Sequence, residues 1–432
     1  MKTVIIGAGI TGLSTAYHLK KNYVIFEKED IAGGLCRSIK KDGFIFDYTG
    51  HFLHLHTDYG KKFISKLMDD NLIKIERNAY IYSNNVFTKY PFQINLYGLP
   101  KKIIKECIVD YIISYFCHKN NNSEFISFKE WIINNFGYGL YKHFFLPYNR
   151  KLFLIPLNRL NANCMKQFIP KPNPDNQLEI LLGAVTDYQK KFGYNAHFFY
   201  PRVGGIGSLI NELQKKVNNL YLNSRIDKIN FKKKYIVVNN KKIRYNYLIS
   251  TIPLNELLLI IEDLPDKLHK FINKFDWNSI YCINIGIKRK NILKNKHWIY
   301  FPEKKFIFYR VGIYSNICKT LVPYNNSSIY VEVSTRKNKI FNTNRIIENV
   351  IKDLIKCKIL MDSSDIEIIN ILNIPYGYVI HYRDTNSILK SIMEFLNKNN
   401  IYSIGRYGAW KYSYMEESIL DGKAIAEKIQ NG

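Results

Sequence analysis

The chain has 432 residues, room for two or three domains with substantial cores, and its 47% hydrophobic and 23% charged content excludes a disordered polymer. With 63 Lys and Arg against 36 Asp and Glu the net charge is +27, which points to anionic partners: metabolites first, a membrane surface second, nucleic acid a distant third. The lysines are spread among many Asn, Ile and Tyr, as a codon bias towards A and T would leave them, so no specific nucleic-acid site is expected.

Seven cysteines without a CxxC pair favour reduced thiols in a cytoplasmic protein over a disulfide framework or a zinc site. A core strand begins within three residues of the first, so no signal peptide is expected. No run reaches the roughly 18 apolar residues of a transmembrane segment, although peripheral membrane contact and a homodimer are both allowed. Cys107 to Cys117, the densest apolar stretch, is expected to be a buried helix.

In chain order, Val4 to Gly12 reads as an apolar strand running into Gly7-Ala8-Gly9-Ile10-Thr11-Gly12. A chain that must turn sharply and bring bare backbone against a pyrophosphate needs residues without a Cβ, and the helix expected over Leu13 to Lys20 would offer free NH groups to the phosphates. A second strand, Tyr23 to Phe26, ends in Glu27, twenty residues after Gly7, where a carboxylate can accept hydrogen bonds from a ribose diol. These features predict a dinucleotide site. Lys28 follows, then a second glycine pair, Gly33-Gly34, with Arg37 three residues on; the plain alternative is a surface arginine after a flexible turn. Gly43 to Asp47 alternates like a strand and leads to His51, His54 and His56. Three histidines in six residues admit a metal site, structural or surface histidines, or contact with a cofactor; on a strand His51 would oppose the other two, and no acidic cluster accompanies them.

Tyr80 to Tyr82 and Val86-Phe87 predict a hairpin, and from Leu99 to about Val185 the apolar residues fall at helical spacing, which predicts an inserted helical subdomain. It contains Tyr148-Asn149-Arg150-Lys151-Leu152-Phe153 and Ile169-Pro170-Lys171-Pro172. Tyr200-Pro201-Arg202-Val203-Gly204-Gly205-Ile206-Gly207 precedes an amphipathic helix, and short strands at 220–222, 226–231, 235–238 and 242–244 form a meander. The segment from Ser279 to Ser334 is strand-rich, with Phe306 to Val311 among the expected strands; Arg310 within it could grip a phosphate or bridge across the sheet. The carboxyl end, Gly405-Arg406-Tyr407-Gly408 through Tyr412, Ser413, Tyr414 and Met415, runs from a strand into the last helix.

These runs resemble the glutathione-reductase-type FAD proteins: amine oxidases, protoporphyrinogen oxidases and above all UDP-galactopyranose mutases. The resemblance implies an α/β fold, with a Rossmann-type FAD-binding domain from 1–75, 198–255 and 385–432, a helical subdomain at 96–197, and an antiparallel-sheet substrate domain from 76–95 and 256–384. It implies FAD, active when reduced, held by Gly7, Gly9, Ile10, Thr11, Gly12, Glu27, Lys28, Gly34, Arg37, His51, Gly405, Arg406 and Met415. It further implies that His54 lies by the flavin, that Tyr148, Phe153, Lys171, Arg310 and Tyr412 face a nucleoside diphosphate sugar, and that His54, Arg310 and Tyr412 serve catalysis. The expected reaction is ring interconversion through a flavin N5 adduct, in surface polysaccharide synthesis. Three departures from the mutase pattern are Phe153 in place of a tryptophan, Lys171 in place of an arginine and Tyr414 in place of an aspartate, the last of which puts in doubt whether the hexose is galactose. The alternatives are an FAD-dependent oxidase or desaturase, and a basic module that binds anionic polymers around a structural flavin.

Overall fold

Thr3–Ile6 is buried along its whole length, so this strand has no face for water and must be flanked and covered on both sides. In the computed structural model, which describes residues 2–118, 127–166, 169, 177–186, 196–337, 339 and 342–431, it lies at the centre of a five-stranded parallel sheet in the order Ile401–Ser403, Tyr247–Ser250, Thr3–Ile6, Tyr23–Phe26, Leu220–Tyr221. The first helix, Ile10–Leu19, packs closely on the last, Met415–Asn431: a Cβ on Gly422 would stand 2.7 Å from the Thr15 backbone nitrogen. The two helices therefore lie side by side, with their starts at the glycine turn and Gln430 donating to the His18 carbonyl at their far ends. Of the expected four-stranded meander, Ile226–Asn230, Tyr235–Val238 and Lys241–Arg244 form a three-stranded antiparallel sheet, whereas Leu220–Tyr221 pairs parallel with Tyr23–Phe26 and is the edge of the first sheet instead.

A second, eight-stranded sheet is built on Asp276–Ile287, which pairs antiparallel with Ser327–Arg336 and Ile366–Ile374. Beyond Ser327–Arg336 come Arg310–Ile313, Trp298–Tyr300 and the predicted hairpin, Ala79–Ser83 with Val86–Lys89. The expected strand over Phe306 to Val311 forms only from Arg310. Upstream, the Lys151 ammonium donates to the Phe301 carbonyl at 2.7 Å, to Glu303 at 3.1 Å and to Phe308, which draws these carbonyls away from a ladder.

The helical segment comprises Lys101–His118, Phe128–Leu140, the wider turn Tyr141–Phe145, Leu146–Phe153 and Gln177–Val185. Ser127 and Glu130 form a reciprocal capping box that starts the second of these. The stretch from Cys107 to Cys117 is helical as expected but not buried throughout. Cys107, Tyr111 and Ser114 face the core, whereas Val109, Ile112, Ile113 and Phe116 are exposed.

Candidate cofactor and substrate site

A cavity of about 940 Å³ runs from the first glycine turn, past the histidines, to the helical segment and the eight-stranded sheet. At its dinucleotide end the glycines divide by role. Gly7 takes φ +94°, which a side chain disfavours, and a Cβ on Gly12 would lie 2.0 Å from the Gly7 carbonyl oxygen, so the turn closes only without one. A Cβ on Gly9 would meet nothing within 4 Å: the room beside it is left for a ligand. Gly9 also caps the Ile10–Leu19 helix without a side-chain acceptor, which leaves that helix's first NH groups for an anion. Glu27, buried at the end of its strand, accepts from the Ala8 backbone NH at 2.7 Å and from Glu29 NH at 3.1 Å. Lys28, Gly34, Arg37, Ile10 and Thr11 line the same end; Arg37 donates through Nε to the Gly34 carbonyl at 2.7 Å and stands 4.7 Å over the Tyr48 ring.

The middle of the cavity is lined by Thr49, Gly50, His51, His54, Arg406, Ser413 and Met415. His51 and His54 line the cavity, but each keeps its Nδ1 fully shielded and with no hydrogen-bond partner in the protein, so that nitrogen does not itself face the open space. Burial pushes both imidazoles down to about 4; the Arg406 charge adds to this at His51, and Arg77 and His56 at His54. His56, in contrast, is exposed. Arg406 donates to the Ser413 carbonyl at 3.0 Å and is ringed by Tyr378, Tyr407 and Tyr412 at 5.5, 5.7 and 5.5 Å. Gly405 NH donates to the Asp421 carboxylate at 3.2 Å, and Met415 begins the last helix. Its neighbour Glu416 is 2% exposed and accepts from His56 NH, Thr57 NH and the Thr57 hydroxyl, which fastens the histidine segment to that helix. Asp47 fastens the other side: its carboxylate accepts from Ser38 and Tyr200 hydroxyls, both at 2.5 Å, and from Ile206 NH at 3.2 Å, while burial pushes it up to about 6.

At the far end Tyr148 and Arg310 line the cavity together. Arg310 is bound across the sheet: Nε and Nη2 donate to the fully buried Glu332 carboxylate at 3.0 and 2.5 Å, so the bridging alternative describes its protein partner. Phe153 is fully buried, edge-on to Tyr378 and Tyr412 at 6.2 and 6.4 Å, and stands behind the wall, where it has no face for stacking on a base. Tyr412 donates its proton to the Val379 carbonyl at 3.2 Å. Lys171 lies outside the described residues. Sequence reading missed Arg77, Tyr300, Glu332 and Tyr378, all in this wall. Of these only Tyr378 carried a local signal, the Pro375-Tyr376-Gly377-Tyr378 turn; Glu332 is set by register, directly opposite Arg310.

A parallel sheet with a glycine turn, open room at Gly9 and a carboxylate at the end of the second strand define a Rossmann-type dinucleotide-binding protein. A model described as an NAD(P)-binding Rossmann-like domain matches residues 5–70, and one described as flavin containing amine oxidoreductase matches residues 120–430. The chain belongs to the flavin containing amine oxidoreductase family, and its cofactor is FAD. Among solved structures, a reduced UDP-galactopyranose mutase is similar with a TM-score of 0.93 at 28% identity, over 100% of this chain and 95% of that one. A CLA-producing fatty acid isomerase from P. acnes shares the fold, with a TM-score of 0.68 at 12% identity over 99% of this chain and 98% of the other. Curated relatives match locally. Mitochondrial protoporphyrinogen oxidase of Nicotiana tabacum is 47% identical over 49 residues, 11% of this chain and 10% of that protein. The 4,4'-diapophytoene desaturase (4,4'-diaponeurosporene-forming) of Staphylococcus aureus (strain COL) is 36% identical over 87 residues, 19% of this chain and 17% of the desaturase. No helix among the described residues is long and apolar enough to cross a membrane.

Proposed function

We propose that this flavoenzyme is a sugar-nucleotide mutase, acting on a nucleoside diphosphate sugar and interconverting its pyranose and furanose rings. The observation that carries the reading is Arg310, a cation in the wall of the FAD cavity held by Glu332 on one edge, which leaves its other guanidinium edge for a phosphate. The likeness to the mutase structure along the entire chain supports it. Reduced FAD, when bound, would supply the electron pair that displaces the nucleoside diphosphate from the anomeric carbon.

The protein's part is to bind and orient. Gly7, Gly9, Ile10, Thr11, Gly12, Gly34 and Arg37 would hold the FAD diphosphate, Glu27 and Lys28 the ribose side, and His51, Gly405, Arg406 and Met415 the flavin. His54, neutral at physiological pH, would line the flavin side of the cavity without adding charge. Arg310, with Tyr148 beside it, would keep the departed diphosphate within reach for its return. Tyr412 can donate to that diphosphate only by swinging its proton away from Val379. Lys171 remains a proposed second cation.

A second reading, an oxidase or desaturase, draws on the local likeness to the two curated relatives and on the many aromatic rings of the wall. Reduction of the purified yellow protein, followed by titration with sugar nucleotides, separates the two. A flavin spectral shift confined to nucleoside diphosphate sugars, with ring interconversion of one of them, is the expected result. Rapid reoxidation coupled to an amine, porphyrinogen or polyene, with no response to sugar nucleotides, would overturn the mutase reading.

A further inference from the structure

The helix Lys101–His118 turns Cys107, Tyr111 and Ser114 into the core. Its opposite face carries Lys101, Lys102 and Lys105 in the first turns, all exposed, and then Val109, Ile112, Ile113 and Phe116, which are 43%, 39%, 55% and 73% exposed. At 100° per residue these seven side chains fall on one stripe, about 22 Å long at the helical rise. The neighbouring helix reaches its flank through Gly137 and Gly139, where a Cβ would stand 2.4 and 2.5 Å from the backbone of Asp110 and Glu106, and presents Tyr138, 54% exposed, between them. The acidic groups of the helix lie off the stripe: Asp110 is half-buried, and Glu106 is bound by Lys142 at 2.7 Å and His143 at 2.8 Å. Among the described residues nothing covers the four apolar side chains.

Lone exposed apolar residues are ordinary, but four in one helical stripe beside three lysines are a surface for something. A second copy of this chain is the poorer fit. A stable dimer buries about 800 Å² per partner, about twice what the four apolar side chains expose, and each copy carries a net charge of +27 that opposes the pairing. An anionic lipid surface supplies what the stripe lacks, with acyl chains for Val109 to Phe116 and phosphate headgroups for the lysines. We propose that this face docks the protein on an anionic membrane, with Ile113 and Phe116 entering the headgroup boundary and Lys101, Lys102 and Lys105 lying among the phosphates. The proposal is independent of the reaction catalysed.

The test is co-sedimentation of the FAD-loaded full chain with vesicles of phosphatidylcholine, with and without phosphatidylglycerol. Binding is expected only to the anionic vesicles and is expected to weaken with salt. Replacing Ile113 and Phe116 with Ser should weaken binding at least about tenfold at low salt and leave the flavin spectrum unchanged. Lys102→Glu with Lys105→Glu should weaken it at least about twentyfold, near fivefold for each lysine. The same two changes at the remote, exposed Lys233 and Lys241 should do much less. Equal losses from both lysine pairs, or undiminished binding by the Ser variant, would reduce the effect to net charge and overturn the proposal. So would a dimer in analytical ultracentrifugation that the Ser variant disperses while vesicle binding persists.

Discussion

Replacing Glu332 with Gln separates the two roles of the Arg310 pair. Glu332 is fully buried and takes both Nε and Nη2 of Arg310, so the free site carries a nearly neutral pair. Gln has almost the same shape and retains one carbonyl acceptor, which leaves the guanidinium held on one bond instead of two. The lost bond and the uncompensated buried cation should cost the free protein about 3–5 kcal/mol of stability. Affinity for an anion moves the other way. The missing hydrogen bond is absent both before and after binding and so cancels, whereas the removed carboxylate no longer repels the ligand. Two unit charges about 6 Å apart at an effective dielectric of about 20 repel by about 3 kcal/mol. Halved for solvent and ligand counterions, this predicts binding of UDP about tenfold tighter. Isothermal titration of the FAD-loaded variant with UDP reads the affinity, and thermal unfolding with and without UDP reads the stability. The reasoning is refuted if the variant keeps a normal flavin spectrum yet binds UDP no more tightly than the parent, because Arg310 would then not face the anion.

Gly9→Val and Gly12→Val should fail differently: the first folds but loses bound FAD, since its side chain fills the open room, while the second expresses poorly, since its Cβ meets the Gly7 carbonyl; absorbance at 450 nm per mole of soluble protein checks both. His51, His54 and His297 are each depressed to about 4 from 6.5, so between those values the unfolded chain binds more protons and stability falls as pH drops from 6.5 to 4. Each contributes at most about 3 kcal/mol to that loss, and urea midpoints measured across the window should fall less steeply in His297→Gln. Burial lowers Lys151 to about 7 from 10.5, so its contribution rises with pH across that window. Lys151→Met, which takes away the donor shared by the Phe301, Glu303 and Phe308 carbonyls at about 1 kcal/mol or more for each bond lost, should destabilise the protein more at pH 9 than at pH 7 by the same measurement.

What was legible in the sequence was chemistry encoded by neighbours in the chain. The Gly7 to Gly12 turn and the carboxylate at Glu27 lie within one local strand–turn–helix–strand unit, so spacing carried them, whereas the Gly405 to Met415 run was legible through its resemblance to the mutases. What required register or packing was not legible. Arg310 finds Glu332 only because the Arg310–Ile313 and Ser327–Arg336 strands align at those residues. Phe153 occupies a motif position that suggests a stacking face, yet the helix carrying it packs against Tyr378 and Tyr412 and leaves it no exposed surface. Lys151, two residues earlier, points the other way and anchors the loop before Arg310. Composition could not separate the core side of the Lys101–His118 helix from its free side, because both are apolar.

Charge tells a related story at two scales. The +27 of the whole chain is a surface property, and the cavity does not draw on it directly. Three of its cations are individually anchored, by two kinds of partner: Arg37 by the Gly34 carbonyl and the Tyr48 ring, Arg406 by the Ser413 carbonyl and three tyrosine rings, and Arg310 by a carboxylate. Carbonyls and ring faces orient a guanidinium without cancelling its charge, so Arg37 and Arg406 keep a positive field at the dinucleotide end and the middle, where a permanently bound anionic cofactor can offset it. A carboxylate cancels the charge it orients. Arg310 therefore offers geometry with little net attraction, which suits a ligand that must arrive, be held in one pose and leave again on every turnover, and not one that stays.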